Sequence, residues 1–242
     1  MMKLVALELK KNKIRSFIMA SGYIFLTLLG FAFLTYFIPK METPTYRVPT
    51  PDIQMFTKWN FFIYLNTTVS FSIFAVFGAI MHAKISVVEY TGKRSILLLS
   101  YPQSRKRILC VKCGLVFFFT VVMMLLCTLS SLGIFATVSN LFHLMPKPFT
   151  QLDFSLLVKT ATISSLLAAS VGLIALRIGL WKGSLIATVV TSVILIMPFG
   201  NIITLFPDKA FFIFLIAFGI IFAIAMLLLA GILAKVNRME AL

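Results

Sequence analysis

The chain of 242 residues is 60% hydrophobic and only 12% charged, about half the charged share of an average soluble domain. Its apolar residues fall in long blocks rather than in alternating or 3.6-residue stripes, which excludes a soluble globule and makes lipid its solvent. Twenty-two Lys and Arg against seven Asp and Glu give a formal charge of +15, but the basic residues sit at the ends of the apolar blocks without an aromatic-basic reading surface, so nucleic acid is not expected as a partner.

Charge-free windows run from Ser16 to Pro39, Trp59 to Ala83, Cys113 to Pro146, Thr160 to Leu176, Gly183 to Pro207 and Ala210 to Ala234. A hydrocarbon layer of ~30 Å takes about 20 helical residues to cross, so each window is a candidate span. They predict an all-α polytopic membrane protein forming one transmembrane domain, with six helices over residues 16–38, 59–83, 109–140, 155–177, 183–206 and 210–234. The first window lacks a small-x-small cleavage site and is expected to stay in the protein as a span. The third is too long for one crossing, so its helix should end near Asn140 and leave Leu141 to Pro148 at the far interface. The fourth is short; Lys159 and Arg177 can snorkel from its ends while Trp181 anchors in the headgroups.

Six crossings place both termini on one face, and the distribution of charge selects that face. Sixteen of the 22 basic residues and three acids lie on the side of the termini, a net +13, whereas six basic residues and four acids on the opposite side make +2. By the positive-inside rule the termini are cytoplasmic and the protein is expected in the cell membrane. Outside, Pro39 to Lys58 contains Pro39, Pro44, Pro49 and Pro51, which predicts an extended lid with no core. Inside, the segment from Lys84 to Lys112 is too small for a nucleotide-binding domain, and no G-x-x-x-x-G-K-[ST] pattern occurs in the chain. Any ATP must be bound by another chain.

The inventory for catalysis is poor, and an enzyme is not expected. His82 and His143 fall at opposite ends of different spans, no acidic pair lies within a span, and no His/Glu metal cluster is present. Cys110-x-x-Cys113 lacks the second pair of a zinc site; together with Cys127 these read as reduced thiols, half a redox motif being the alternative. His82 beside Lys84 reads as an interfacial polar residue. All seven acids fall at or beyond span ends, which argues against a proton- or sodium-coupled carrier. The chain is expected to hold no cofactor or metal of its own.

Two patterns rise above this background. In the fourth span Ala161, Ser165 and Ala169 recur every four residues beside Ser164, Ala168 and Gly172. Small residues at this spacing allow close helix packing, within the chain or at a dimer seam or mobile interface; Gly219 and Ala223 repeat it more weakly. The second pattern is the inner segment, residues 84–108. Glu89 is its only acid, a turn signal at Thr91-Gly92 precedes an apolar stub from Ser95 to Ser100, and Pro102 breaks the chain again. Ile96 to Leu99 at the water side calls for a partner groove. Lys93, four residues after Glu89, is its expected local charge partner.

This arrangement resembles the permease subunit of type-2 ATP-binding-cassette transporters, of the bacterial peptide or bacteriocin export or lantibiotic-immunity kind. The resemblance rests on six spans and on an inner connection reading acid, glycine, leucine-rich stretch, Pro-x-Ser-Arg and lysine, here Glu89, Gly92, Leu97 to Leu99, Pro102-Gln103-Ser104-Arg105 and Lys112. Many relatives carry a second acid soon after the glycine, where this chain has Lys93 and Arg94. The resemblance implies an amphipathic N-terminal helix, which Met1 to Ile14 fits with Leu4, Val5, Leu7 and Ile14 against Lys3, Lys10, Lys11 and Lys13, a plain basic tail being the alternative. It also implies a cytoplasmic coupling helix between the second and third spans, with Glu89, Gly92, Ser95, Leu97, Leu98, Leu99, Pro102 and Arg105 as the ATPase-coupling residues. The implied partners are two cytoplasmic ATPase subunits holding ATP and Mg, a second or homologous permease, and a hydrophobic or amphipathic peptide-like cargo, with a lipid-like molecule or small antibiotic as the alternative. A membrane scaffold or sensor that recruits a cytoplasmic partner through the same stub is the rival expectation.

The charge asymmetry makes orientation testable. A cysteine at Thr45 should react with an impermeant thiol reagent on intact cells and one at Ser95 should not; outside labelling at Ser95 would reverse the topology.

Overall fold

The computed structural model describes residues 14–42, 56, 58–90, 105–205 and 210–240. Among these, six long helices follow one another. They are α1 (Ile14–Glu42), α2 (Trp59–His82, carried on by a π-helical segment Ala83–Val87 and a final turn Val88–Tyr90), α3 (Arg105–Phe142), α4 (Gln151–Lys182), α5 (Leu185–Leu205) and α6 (Ala210–Glu240). Five contain a stretch long and apolar enough to cross a membrane: Arg15–Phe37, Trp59–Val87, Arg107–Phe142, Gln151–Lys182 and Phe211–Gly231. The apolar part described in α5, Leu185–Gly200, is shorter. The protein is therefore an all-helical, multi-pass membrane protein.

Helices of this composition hide their backbone polar groups by construction, as hydrocarbon demands. Hydroxyl side chains inside them follow the same logic. Thr67, Ser72, Thr120, Thr160, Ser170 and Thr188 each donate to the carbonyl four residues back, at 2.7–3.2 Å, so these hydroxyls leave no unmet donor, whereas Thr68, Ser86, Thr128 and Ser139 are buried without a partner among the described residues.

α4 is the hub, packing on α2, α3, α5 and α6, while α1 leans on α3 and α2 at the side. Its small side chains permit this. Ala161, Ser164, Ser165, Ala168 and Ala169 are buried, and at Gly172 an added Cβ would come within 3.2 Å of His82 on α2. α2 answers with bulk, filling the space with the fully buried rings of Phe71 and Phe74. The stripe is covered by the chain itself, so in this conformation it is closed to a second copy. Gly219 and Ala223 of α6 lie exposed, with open space where a Cβ at Gly219 would project.

At the end away from the 91–104 connection, an aromatic knot joins α1, α2, α3 and the α3–α4 turn. Phe62 and Phe135 stack at 4.6 Å, and Trp59 sits edge-on to Phe149 at 4.9 Å. The Trp59 indole N–H donates to the Lys147 carbonyl at 2.8 Å, which gives a half-apolar ring its polar partner. The same turn is held by the Phe149 amide donating to Asn140 Oδ1 at 2.8 Å. Thr150 then starts α4 with a capping box, its amide donating to Asp153 Oδ2 at 2.9 Å and its hydroxyl accepting from the Asp153 amide. Gly183, at φ 60°, ends α4 in the left-handed conformation and lets α5 fold straight back.

Three expectations about helix extent are corrected. The second helix does not stop at 83 but runs to Tyr90, and the third begins at Arg105, so the segment expected at 84–108 narrows to residues 91–104. The fourth, expected over 155–177, runs from Gln151 to Lys182, four residues earlier and five later. Charge marks where a helix meets water, not where its hydrogen bonding ends.

Close packing of α4 on α5 and α2 sets a stability prediction. At Gly179 a Cβ would collide with Thr188 Oγ1 and come within 3.1 Å of Val87 Cγ2, so Gly179→Ala should cost about 1–3 kcal/mol. Gly219→Ala, facing open space, should be neutral or slightly stabilising. Thermal unfolding of the detergent-solubilised protein compares the two.

Candidate functional site

The π segment of α2 holds the key geometry. Its wider turn makes the Val88 amide donate to the Ala83 carbonyl five residues back, inserting one residue relative to an α-helix. The turn that follows brings Glu89 over the start of α3. There Lys112 Nζ donates to Glu89 Oε2, forming a salt bridge, and to the Ile85 carbonyl of the π segment at 3.3 Å. Lys112 has no exposed surface and Glu89 is 12% exposed.

An ammonium moved out of water carries a penalty of several kcal/mol, offset only by a close counter-charge and by hydrogen bonds to its remaining protons. Glu89 supplies the charge and Ile85 a carbonyl. The same end is apolar: Val87, Leu109, Cys113, Leu173, Ile174, Leu176 and Ala225 form one buried cluster there. Low polarity strengthens the pair and makes the loss of either member costly.

One turn deeper, His82 and Ser86 are buried, and neither His82 Nδ1 nor Ser86 Oγ has a hydrogen-bond partner among the described residues. The expectation that His82 is an interfacial residue is corrected, since it lies inside the bundle against Gly172. Lys84, its neighbour in sequence, is exposed. Cys110 is exposed and Cys113 buried, so the two thiols occupy different environments. Among the described residues no three His, Cys, Asp or Glu side chains gather as a metal site.

Of the predicted coupling residues, Glu89 belongs to this junction and Arg105 opens α3. Gly92, Ser95, Leu97, Leu98, Leu99 and Pro102 lie outside the described residues, as do Lys93, the N-terminal residues 1–13 and residues 43–55 and 57 of the lid expected from Pro39 to Lys58; that expectation is corrected at its start, where residues 39–42 continue α1 through Pro39. Lys112 is the residue that charge counting misplaced, by assigning it to the solvated inner face. Arg107, five residues earlier on α3, is exposed, and at 3.6 residues per turn the two are about 140° apart around the helix. The lysine at the close of the Pro-x-Ser-Arg pattern was visible in the sequence; its counter-ion was not.

The junction joins the last turn of α2 to the first turns of α3, the two helices that bound residues 91–104.

The sequence is 25% identical over 196 residues to the uncharacterized protein YcbO of Bacillus subtilis strain 168, a match covering 81% of this chain and 82% of that protein. No protein-family model matches the chain, and no solved structure does.

The pair's energetics give a second prediction. Lys112→Met should cost about 3–5 kcal/mol because it strands the Glu89 carboxylate, and the double variant Glu89→Leu/Lys112→Met should recover much of that loss. A double-mutant cycle on unfolding in detergent measures the coupling; additive losses would mean that the two side chains act independently.

Proposed function

We propose that this chain is the membrane-spanning permease subunit of an ATP-driven exporter of the type-2 ATP-binding-cassette kind. Separate ATPase subunits work from the cytoplasmic side, and the cargo is a hydrophobic or amphipathic peptide such as a bacteriocin, lantibiotic or toxin. The observation that carries this reading is the buried Glu89–Lys112 junction at the root of the 91–104 connection. The acid and the lysine that bracket the coupling pattern in sequence are the two charges that meet across α2 and α3.

A transporter without its own nucleotide site must receive work from a partner, and only contacts that differ between nucleotide states can deliver it. The apolar stretch Leu97 to Leu99 and the Pro102-Gln103-Ser104-Arg105 run supply a docking segment, and the junction makes that segment's root rigid. Glu89 has its counter-charge within the chain, so it serves to orient the segment rather than to bind an ATPase residue. In this reading the +13 face is cytoplasmic, all six helices cross the membrane, and a second permease copy or a homologue completes the assembly.

Leu98→Asp should leave the helices inserted but release the ATPase or uncouple its hydrolysis, because an unpaired carboxylate in an apolar groove costs several kcal/mol. Glu89→Gln should lower transport-coupled ATP hydrolysis in the reconstituted complex by about tenfold or more, the scale expected for loss of a shielded charge pair. Peptide export at the wild-type rate by Leu98→Asp would refute the coupling role. A co-purifying partner without a nucleotide site would instead make the chain a membrane scaffold or sensor.

A further inference from the structure

We propose that the π segment Ala83–Val87 is a register switch held in its π form by Lys112. Its use in transport rests on the permease reading; its existence does not.

The argument starts from hydrogen bonds. Along the spans, buried hydroxyls such as Thr67, Thr120 and Ser170 donate to the carbonyl four residues back. Ser86, fully buried in the π segment, has no such partner among the described residues. In an α-helical register the His82 carbonyl would stand in the position that serves those other hydroxyls. The α form would bring that carbonyl within reach of Ser86, an option that Thr68, Thr128 and Ser139 leave unused in α-helical stretches. The π form presents the Ile85 carbonyl and the Glu89 carboxylate to Lys112.

Rewinding the segment to α passes one residue into the connection and turns everything after it by about 100°. Glu89 then leaves Lys112, and Val87, now wholly buried against Gly179, turns away from α4. The two registers exchange one set of polar contacts for another in the same apolar surroundings, which is the arrangement a two-state element requires. A pull on the 91–104 connection acts directly on the residue that decides between them.

The test reads the register by thiol labelling in native membranes, with Cys110, Cys113 and Cys127 replaced by alanine and no ATPase present. Single cysteines are placed at Met81, before the π segment, and at Val87, within it. With Lys112 intact both should be protected. With Lys112→Gln added, Val87→Cys should react with a small maleimide at least about tenfold faster while Met81→Cys stays protected, as a local opening that leaves the bundle folded requires. Continued protection of Val87→Cys beside a protected Met81→Cys overturns the switch. If Lys112→Gln also exposes Met81→Cys, the decision passes to the double variant Glu89→Leu/Lys112→Met, which releases the π segment without stranding a buried charge. It should expose Val87→Cys alone, and protection there equally overturns the proposal. A chain that switches but binds no ATPase removes the permease reading alone. A chain that couples to an ATPase with Val87→Cys protected in every variant removes the switch alone.

Discussion

A charge buried in an apolar bundle has to keep its partners, and Lys112 imposes that condition on everything around it. Its ammonium has no water to fall back on, so a carboxylate and a carbonyl must reach it from another helix. Both come from α2, within five residues of each other. The π turn between Ala83 and Val87 is the local price of presenting them on one side. The apolar cluster of Leu109, Leu173, Ile174 and Leu176 lies at the same end of the bundle, where Lys112 has no exposed surface. Helix geometry, side-chain chemistry and packing at this end are consequences of one desolvated lysine.

The opposite end is organised without charge. There Trp59, Phe62, Phe135 and Phe149 interlock through edge-to-face and stacked contacts, and the polar bonds are neutral ones from indole and amide. Between the two ends, α4 brings helices close with small side chains, and α2 fills the remaining volume with phenylalanine. The array is thus pinned by aromatic packing at one end and by an ion pair at the other. These differ in how they yield. Contacts between interdigitated rings forfeit a quarter to a half of their attraction over a gap of about 0.5–1 Å, whereas the attraction between two buried charges falls only as the inverse of their separation.

Much of this was legible in the sequence because hydrocarbon imposes few solutions. Charge-free windows located the helices, and the four-residue spacing of Ala161, Ser165 and Ala169 pointed to a packing face on α4. What escaped has a physical reason in each case. Helix ends were misjudged where Lys84 and Lys182 continue the helical backbone, because a long cationic side chain lets a helix run on past the apolar window. The π segment leaves no periodic trace, since one inserted residue shifts a pattern that was already apolar all round. Lys112 looked like its neighbour Arg107 because a count of charges is blind to rotation about a helix. Its pairing with Glu89 depends on the register that the π turn sets.

The two tryptophans, described above only for their packing and position, make the molecule its own optical probe. Trp59 is 7% exposed, wedged among rings and hydrogen-bonded to a backbone carbonyl; Trp181 is 77% exposed near the end of α4 where it meets α5. An indole held in a dry aromatic nest emits to the blue and is shielded from collisional quenchers, while one at a helix end takes on the polarity of whatever surrounds it. Because they stand at opposite ends of the bundle, their emission separates by environment, and each end of the membrane array carries a distinct fluorescence signature without any label being introduced.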